Sequence, residues 1–247
     1  HRRTRCLCFA VTWVSWVPTI LVAGTQHPAG GYEAYVAKQT CENRQKLDNQ
    51  WVPKEGVEML AEWLQRNVFF QQRFGLCHGT RSGREQRWFR EALGWPLGSV
   101  LGTEISNTAT QFPDTLQWDY HDVKEEWISR ADFVYSNALD HSFDPRHALS
   151  QWLRCLGGHG VIFIEHCSAH TALGINGSDI FGASFSEYLR LILSIPTADV
   201  AEVLRAPGQH WHVHGCRYIV VVHRESQLQV VQPFHESQGG PRLFRVA

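Results

Sequence analysis

The chain has 247 residues, 43% of them hydrophobic, which is enough to bury a full core as one large domain with an N-terminal appendage. A formal net charge of -1 gives none of the basic excess that marks a nucleic-acid footprint, so no nucleic-acid partner is expected. The seven cysteines, at positions 6, 8, 41, 77, 155, 167 and 216, form no CxxC pair and are odd in number, which speaks against a disulfide framework or a zinc ribbon.

Residues 6–24, CLCFAVTWVSWVPTILVAG, carry no charge and follow Arg2, Arg3 and Arg5. As a helix they would extend roughly 28 Å, the length of a membrane span. The next Lys or Arg is Lys38, an asymmetry that places the N-terminus in the cytoplasm and the bulk of the chain across the membrane. Residues 1–28 are therefore expected to anchor or target a membrane-bound, secretory or organellar protein; if the segment is buried in the fold instead, the protein is cytoplasmic. The acceptor triplet Asn176-Gly177-Ser178 fits a luminal, glycosylated domain.

Residues 29–56 read as a linker, rich in glycine at its start, followed by a polar helix over 32–49 that serves as a lid or a spacer. Val57, Leu60, Ala61, Leu64 and Val68 then recur at helical spacing, predicting an amphipathic helix that opens the main domain, residues 57–225. Residues 74–83, FGLCHGTRSG, predict a strand running into a glycine turn, and residues 84–93 a helix. Gly79 and Gly83 lack a Cβ there, so bare backbone and the first amides of the helix can approach a ligand.

Strand and helix signals alternate from this point. Strands are predicted over 99–106, 115–120, 131–138 and 160–167, with a helix over 147–156 that ends at Gly157-Gly158 and another over 185–195. Repeated units of this length imply a doubly wound, mostly parallel sheet with ligands at the carboxyl ends of its strands. Residues 200–205 and 217–224 lack a helix between them and are expected to pair antiparallel at one edge. Residues 226–247 read as a peripheral tail.

The order LCHGTRSG, GTEIS, WDYHDV, DFVYSNALDHSFDP and the HALSQWLRCLGGHGVIFIEH helix and strand resembles a class I S-adenosylmethionine-dependent methyltransferase. It is most similar to a branch with a C-x-G-x-R-x-G first motif and SNSLDH-like sequence after the fourth strand. The resemblance covers residues 57–224 and implies a seven-stranded Rossmann-like α/β fold and S-adenosyl-L-methionine as cofactor. It implies that Cys77, His78, Gly79, Thr80, Arg81 and Gly83 form the cofactor loop and that Glu104, 25 residues after Gly79, binds the ribose diol. By the same resemblance Asp119 and Tyr120 flank the adenine, with Asp122 as the alternative acid, and Ser136 and Asn137 lie under the methionine moiety. Arg81 departs from an all-glycine loop and either pairs with the methionine carboxylate or points to solvent. Cys77 and His78 stand where relatives carry an acid and a small residue.

Methyl transfer needs positioning, water exclusion and, for an acceptor with a proton to lose, a general base. Asp140 and His141 after the fourth strand, and Glu165 and His166 at the end of the fifth, are the candidates for that base. No Asx-Pro-Pro-aromatic run follows the fourth strand, which argues against enzymes that methylate nucleic-acid base amines. The expected acceptor is small or glycan-like. A non-catalytic subunit of a membrane assembly on the same fold is the alternative. His210, His212 and His214 in QHWHVHG would share one face of an extended segment; a polar edge is the preferred reading, no metal ligands are assigned, and a histidine-dependent metal-binding protein is the second alternative.

Overall fold

A computed structural model describes residues 27–171, 179–207 and 217–224. The apolar segment 6–24, the triplet at 176–178, His210, His212, His214 and the tail from 226 lie outside them. No helix among the described residues is long and apolar enough to cross a membrane.

The elements are α1 (Gly31–Gln45), α2 (Lys54–Asn67), β1 (Gly75–His78), α3 (Arg84–Leu93), β2 (Val100–Glu104), β3 (Thr115–Gln117), β4 (Ala131–Ser136), α4 (Pro145–Cys155), β5 (Leu156–His166), α5 (Phe185–Leu193), β6 (Ala198–Arg205) and β7 (Tyr218–Arg224). They build one seven-stranded sheet in the order β3-β2-β1-β4-β5-β7-β6. Strands β1 to β5 run parallel, and β7 joins β5 and β6 antiparallel, forming the expected edge hairpin.

Period-2 alternation in the central strands feeds two cores. Leu76, Val134, Ile162, Ile164, Val220 and Val222 pack with α4 and α5 on one face. Cys77, Phe133, Tyr135, Phe163, Ile219 and Val221 pack with α2 and α3 on the other. The apolar stripe of α2 supplies Val57, Leu60, Ala61 and Leu64 to the second core, each at most 1% exposed.

Local chemistry sets where the strands stop. The backbone leaves β3 after Gln117 because Asp119 Oδ1 accepts from the His121 amide at 2.9 Å, closing a side-chain turn three residues before the expected end at 120. Ser136 ends β4 in the same way, its hydroxyl accepting from Ala138 N at 3.1 Å. Asp144 caps α4 by accepting from His147 N, with Pro145 in the first turn. The Gly157-Gly158 pair, expected as a helix cap, lies within β5: the chain turns extended at Leu156, which pairs with Ala131 of β4. A capping box of Ser184 and Glu187 starts α5.

The sheet order reverses between β1 and β4, the two strands from which the chain winds outward in opposite directions. A doubly wound sheet opens a crevice at the carboxyl ends of such a pair. Helix α1 lies over that crevice. Asn43 accepts a hydrogen bond from the Thr108 hydroxyl at 2.7 Å, Arg44 donates to Asn107 Oδ1 at 2.9 Å, and Tyr35 packs against Phe143 with ring centroids 5.4 Å apart.

Candidate active site

The crevice holds a cavity of about 500 Å³. Residues 79–82 form one wall and Glu104, Asp119 and Tyr120 a second. Asn137, Ala138, Asp140 and His141 form a third, and α1 roofs it with Tyr35, Gln39 and Asn43. Four successive parallel strands thus deliver their carboxyl ends to one space.

Gly79 makes the close approach possible. Its φ is +70, and a Cβ built there would stand 2.5 Å from Ala138 Cβ, so any side chain would both strain the backbone and push the β4 loop away. The Gly79 and Thr80 amides are already used by Thr103 O, at 2.9 and 3.1 Å, which fixes the turn to the end of β2. Arg81 adopts φ +47, donates from Nη1 to Asn49 O at 3.3 Å and lies 5.8 Å from the Trp51 ring centroid. Its guanidinium therefore lines the pocket and is tied to the segment after α1, where it can meet an anionic ligand group.

Glu104 is 7% exposed, and its Oε1 accepts from Ser106 N at 2.9 Å. Burial pushes its carboxyl up, opposed by the Ser106 amide and the Arg81 charge. A buried carboxylate beside a cavity suits a hydroxyl pair that replaces lost water. Asp119 Oδ1 faces His121 Nδ1 at 2.6 Å, while its Oδ2 is buried and accepts no hydrogen bond. His121 Nε2 accepts from Asp144 N at 3.2 Å, so the ring proton sits on Nδ1 and points at Asp119. Oδ2 is thus an unpaired acceptor on a residue that lines the cavity. Asp122 lines a neighbouring cavity of about 270 Å³ together with Asp119.

The loop is supported from behind by a buried polar cluster. Thr80 Oγ1 contacts both Glu85 Oε2, at 3.0 Å, and Gln86 Oε1, while Gln50 donates to Glu85 Oε1 at 2.9 Å. One hydroxyl proton cannot serve both acceptors. Burial raises the Glu85 carboxyl, opposed by its hydrogen bonds from Gln50 and Thr80 and by the Arg81 charge.

Several residues assigned from the sequence do not reach the cavity. Cys77 is fully buried in the α2/α3 core, and His78, on the opposite face, bonds Thr103 Oγ1 through Nδ1 at 2.9 Å beside Trp152. Alternation along β1 sends the two side chains to the two cores, and only at Gly79 does the chain meet the pocket. Gly83, at φ +70, faces Gln86 and Thr115, each 2.8 Å from a built Cβ, so its role is helix packing and not ligand approach. Ser136 spends its hydroxyl on His78 O and Ala138 N. His166 is 4% exposed and bonds Ala183 O at 2.9 Å; Glu165 forms a buried ion pair with Arg217 and accepts from Tyr135 at 2.6 Å. Neither lines the cavity.

The pocket also contains residues that pattern did not single out: Tyr35, Gln39 and Asn43 from α1, Glu85, and Ser168, His170 and Asp179 from the loops after β5. The polar face of α1 carried a signal, because Gln39 and Asn43 share the i, i+4 face with Tyr35. His170 and Asp179 carried none.

No protein-family model and no curated protein sequence matches the chain. Solved structures do resemble it. The fold is a Rossmann-like methyltransferase fold. The Burkholderia thailandensis 1,6-didemethyltoxoflavin-N1-methyltransferase, solved with 1,6-didemethyltoxoflavin and S-adenosylhomocysteine, aligns with TM-score 0.60 and 12% identity over 81% of this chain and 93% of its own. The plantazolicin methyltransferase BpumL, in complex with S-adenosylhomocysteine, aligns with TM-score 0.55 and 10% identity over 78% and 97%. The [4+2]-cyclase SpnF aligns with TM-score 0.55 and 10% identity over 82% and 99%. A cyclase among these neighbours shows that this fold does not by itself dictate the reaction, which has to be argued from the site.

Proposed function

We propose that the chain binds S-adenosyl-L-methionine in this cavity and transfers its methyl group to a small-molecule acceptor, glycan-like acceptors included. The observation that carries the reading is the convergence of the four strand ends, with the Gly79 approach and the buried Glu104 carboxylate, on one cavity of about 500 Å³. That volume lies within the roughly 300–1,000 Å³ of small-molecule sites. Glu104 would accept from the ribose diol, Asp119 Oδ2 from the adenine amine, and the Asn137-Ala138 backbone would support the methionine end.

When bound, the cofactor supplies a carbon already activated by a sulfonium, so the protein's part is positioning and exclusion of water. Gly79 to Ser82 and Asn137 supply facing walls, and the α1 roof limits solvent entry. Where the acceptor has a proton to lose, Asp140 and His141, both lining the cavity, are the groups placed to take it. Calorimetric titration of the full chain with S-adenosylhomocysteine tests the reading. One site per chain is expected, weakened about tenfold or more by Glu104→Ala, the loss of a hydrogen-bonded charged partner. Absence of binding to folded wild-type protein would overturn it. Membrane anchoring or targeting by residues 1–28 is a separate proposal, tested by whether their deletion converts detergent-dependent protein to soluble behaviour.

A further inference from the structure

On the wall formed by the β4 loop and the segment before α5, three ligand-type side chains face one another at more than hydrogen-bond distance. One donor atom each from Asp140, His141 and Asp179 lies within 4.8 Å of the other two. His141 Nδ1 is 3.6 Å from Asp179 Oδ1, and His141 Nε2 is 3.9 Å from Asp140 Oδ2, both too long for good hydrogen bonds. Asp140 is only 6% exposed and its Oδ1 accepts no hydrogen bond, while His141 Nδ1 is likewise buried and unbonded.

We propose that Asp140, His141 and Asp179 bind a divalent transition-metal ion in the wall of the pocket. An ion with ligand bonds of about 2.0–2.2 Å holds adjacent donors roughly 3.0–3.5 Å apart, and an imidazole gives it one nitrogen, so the three donor atoms, now within 4.8 Å of one another, draw together by about 1 Å to form a coordination shell. Two carboxylates and one imidazole suit Mn²⁺, Fe²⁺ or Zn²⁺ better than an all-oxygen Mg²⁺ or Ca²⁺ site. His170 Nε2 lies 3.9 Å from Asp140 Oδ2, an ionic neighbour beyond good hydrogen-bond distance.

The backbone holds the ligands in place independently of any ion. Asp140 sits in the single turn Leu139–His141, and its carbonyl accepts from Ile180 N at 3.1 Å and Phe181 N at 2.8 Å, which ties residue 179 to the β4 loop. Three protein ligands leave positions open towards the cavity. With the ion bound, Asp140 and His141 are ligands and not free bases; an acceptor hydroxyl or carboxylate oxygen on the ion would be oriented and, for a hydroxyl, made more acidic. This consequence rests on the methyl-transfer reading of the pocket; the metal site itself does not.

The test uses untagged full chain stripped with a chelator, titrated with Mn²⁺ followed by electron paramagnetic resonance and with Zn²⁺ followed by calorimetry. One ion per chain is expected. Asp179→Asn and His141→Ala, both at partly exposed side chains, should each lower the affinity about tenfold or more with the melting temperature unchanged. The combined variant His210→Ala, His212→Ala and His214→Ala should retain binding. No bound ion, or binding that survives Asp179→Asn and His141→Ala, overturns the proposal. S-adenosylhomocysteine titration of the same protein reads the cofactor site separately, so either idea can fail alone.

Discussion

The roles of single residues depend on which way each side chain faces, and β1 is the clearest case. Cys77 and His78 were expected to form part of the cofactor loop, yet they occupy opposite cores. The alternation that separates them was legible in the sequence, since adjacent strand residues cannot line one cavity. Burial pushes His78 down to about 3, with His121 acting in the same direction. The unfolded imidazole titrates near 6.5, so the neutral ring supports folding above that pH and the support is lost as pH falls from about 6.5 towards 3. His78→Phe should therefore cost stability at pH 7, by orphaning the Thr103 hydroxyl, yet flatten the decline in melting temperature between pH 6.5 and 4. Equal acid slopes in the two proteins would contradict this placement. Asp119 gives a second residue-scale expectation: Asp119→Ala removes the open acceptor and should weaken S-adenosylhomocysteine more than adenosine-free analogues of its amino-acid tail, as read by competition.

At the scale of elements, the helices and strands were legible because their apolar periods were clean, as in α2 and β5. Their ends were less so. The stops after Gln117 and Ser136 come from side-chain turns at Asp119 and Ser136, which are local hydrogen bonds and not hydropathy. The position of α1 was open between lid and spacer because its buried face is polar: Gln39 and Asn43 are buried alongside Tyr35. What fixes it is the tertiary bond from Thr108 to Asn43, which no local pattern encodes. Asn43→Ala leaves that hydroxyl only its 3.1 Å contact with Ser106 Oγ and should lower stability by about 0.5–1.5 kcal/mol in urea unfolding, and it should weaken ligand binding by loosening the roof. Asp179 was illegible for the same reason. It is a single acid in a loop, brought to Asp140 and His141 only by the backbone bonds at Ile180 and Phe181.

At the scale of the molecule, the alternation of strand and helix was sufficient to show a mostly parallel, doubly wound sheet with an antiparallel edge, but not its strand order. It left the buried charges unassigned. Glu165 reads as a rim carboxylate in sequence, but Arg217, 1% exposed at its side chain, pairs with it across β5 and β7. Removing one partner leaves the other charge buried. Glu165→Ala should accordingly cost about 3–5 kcal/mol in denaturant unfolding, whereas a change at exposed Glu62 should cost little. This pair stiffens the hairpin edge, while the ligand crevice lies at the β1/β4 reversal, so fold stability and ligand contact are carried by different parts of the sheet. The most direct measurement of the central claim is amide hydrogen exchange of the full chain with and without S-adenosylhomocysteine. Protection is predicted in residues 79–82, 104–106 and 137–141 and in α1, with β6 unchanged; exchange that is unaltered throughout, or protection confined to regions away from the β1/β4 crevice, would contradict the account.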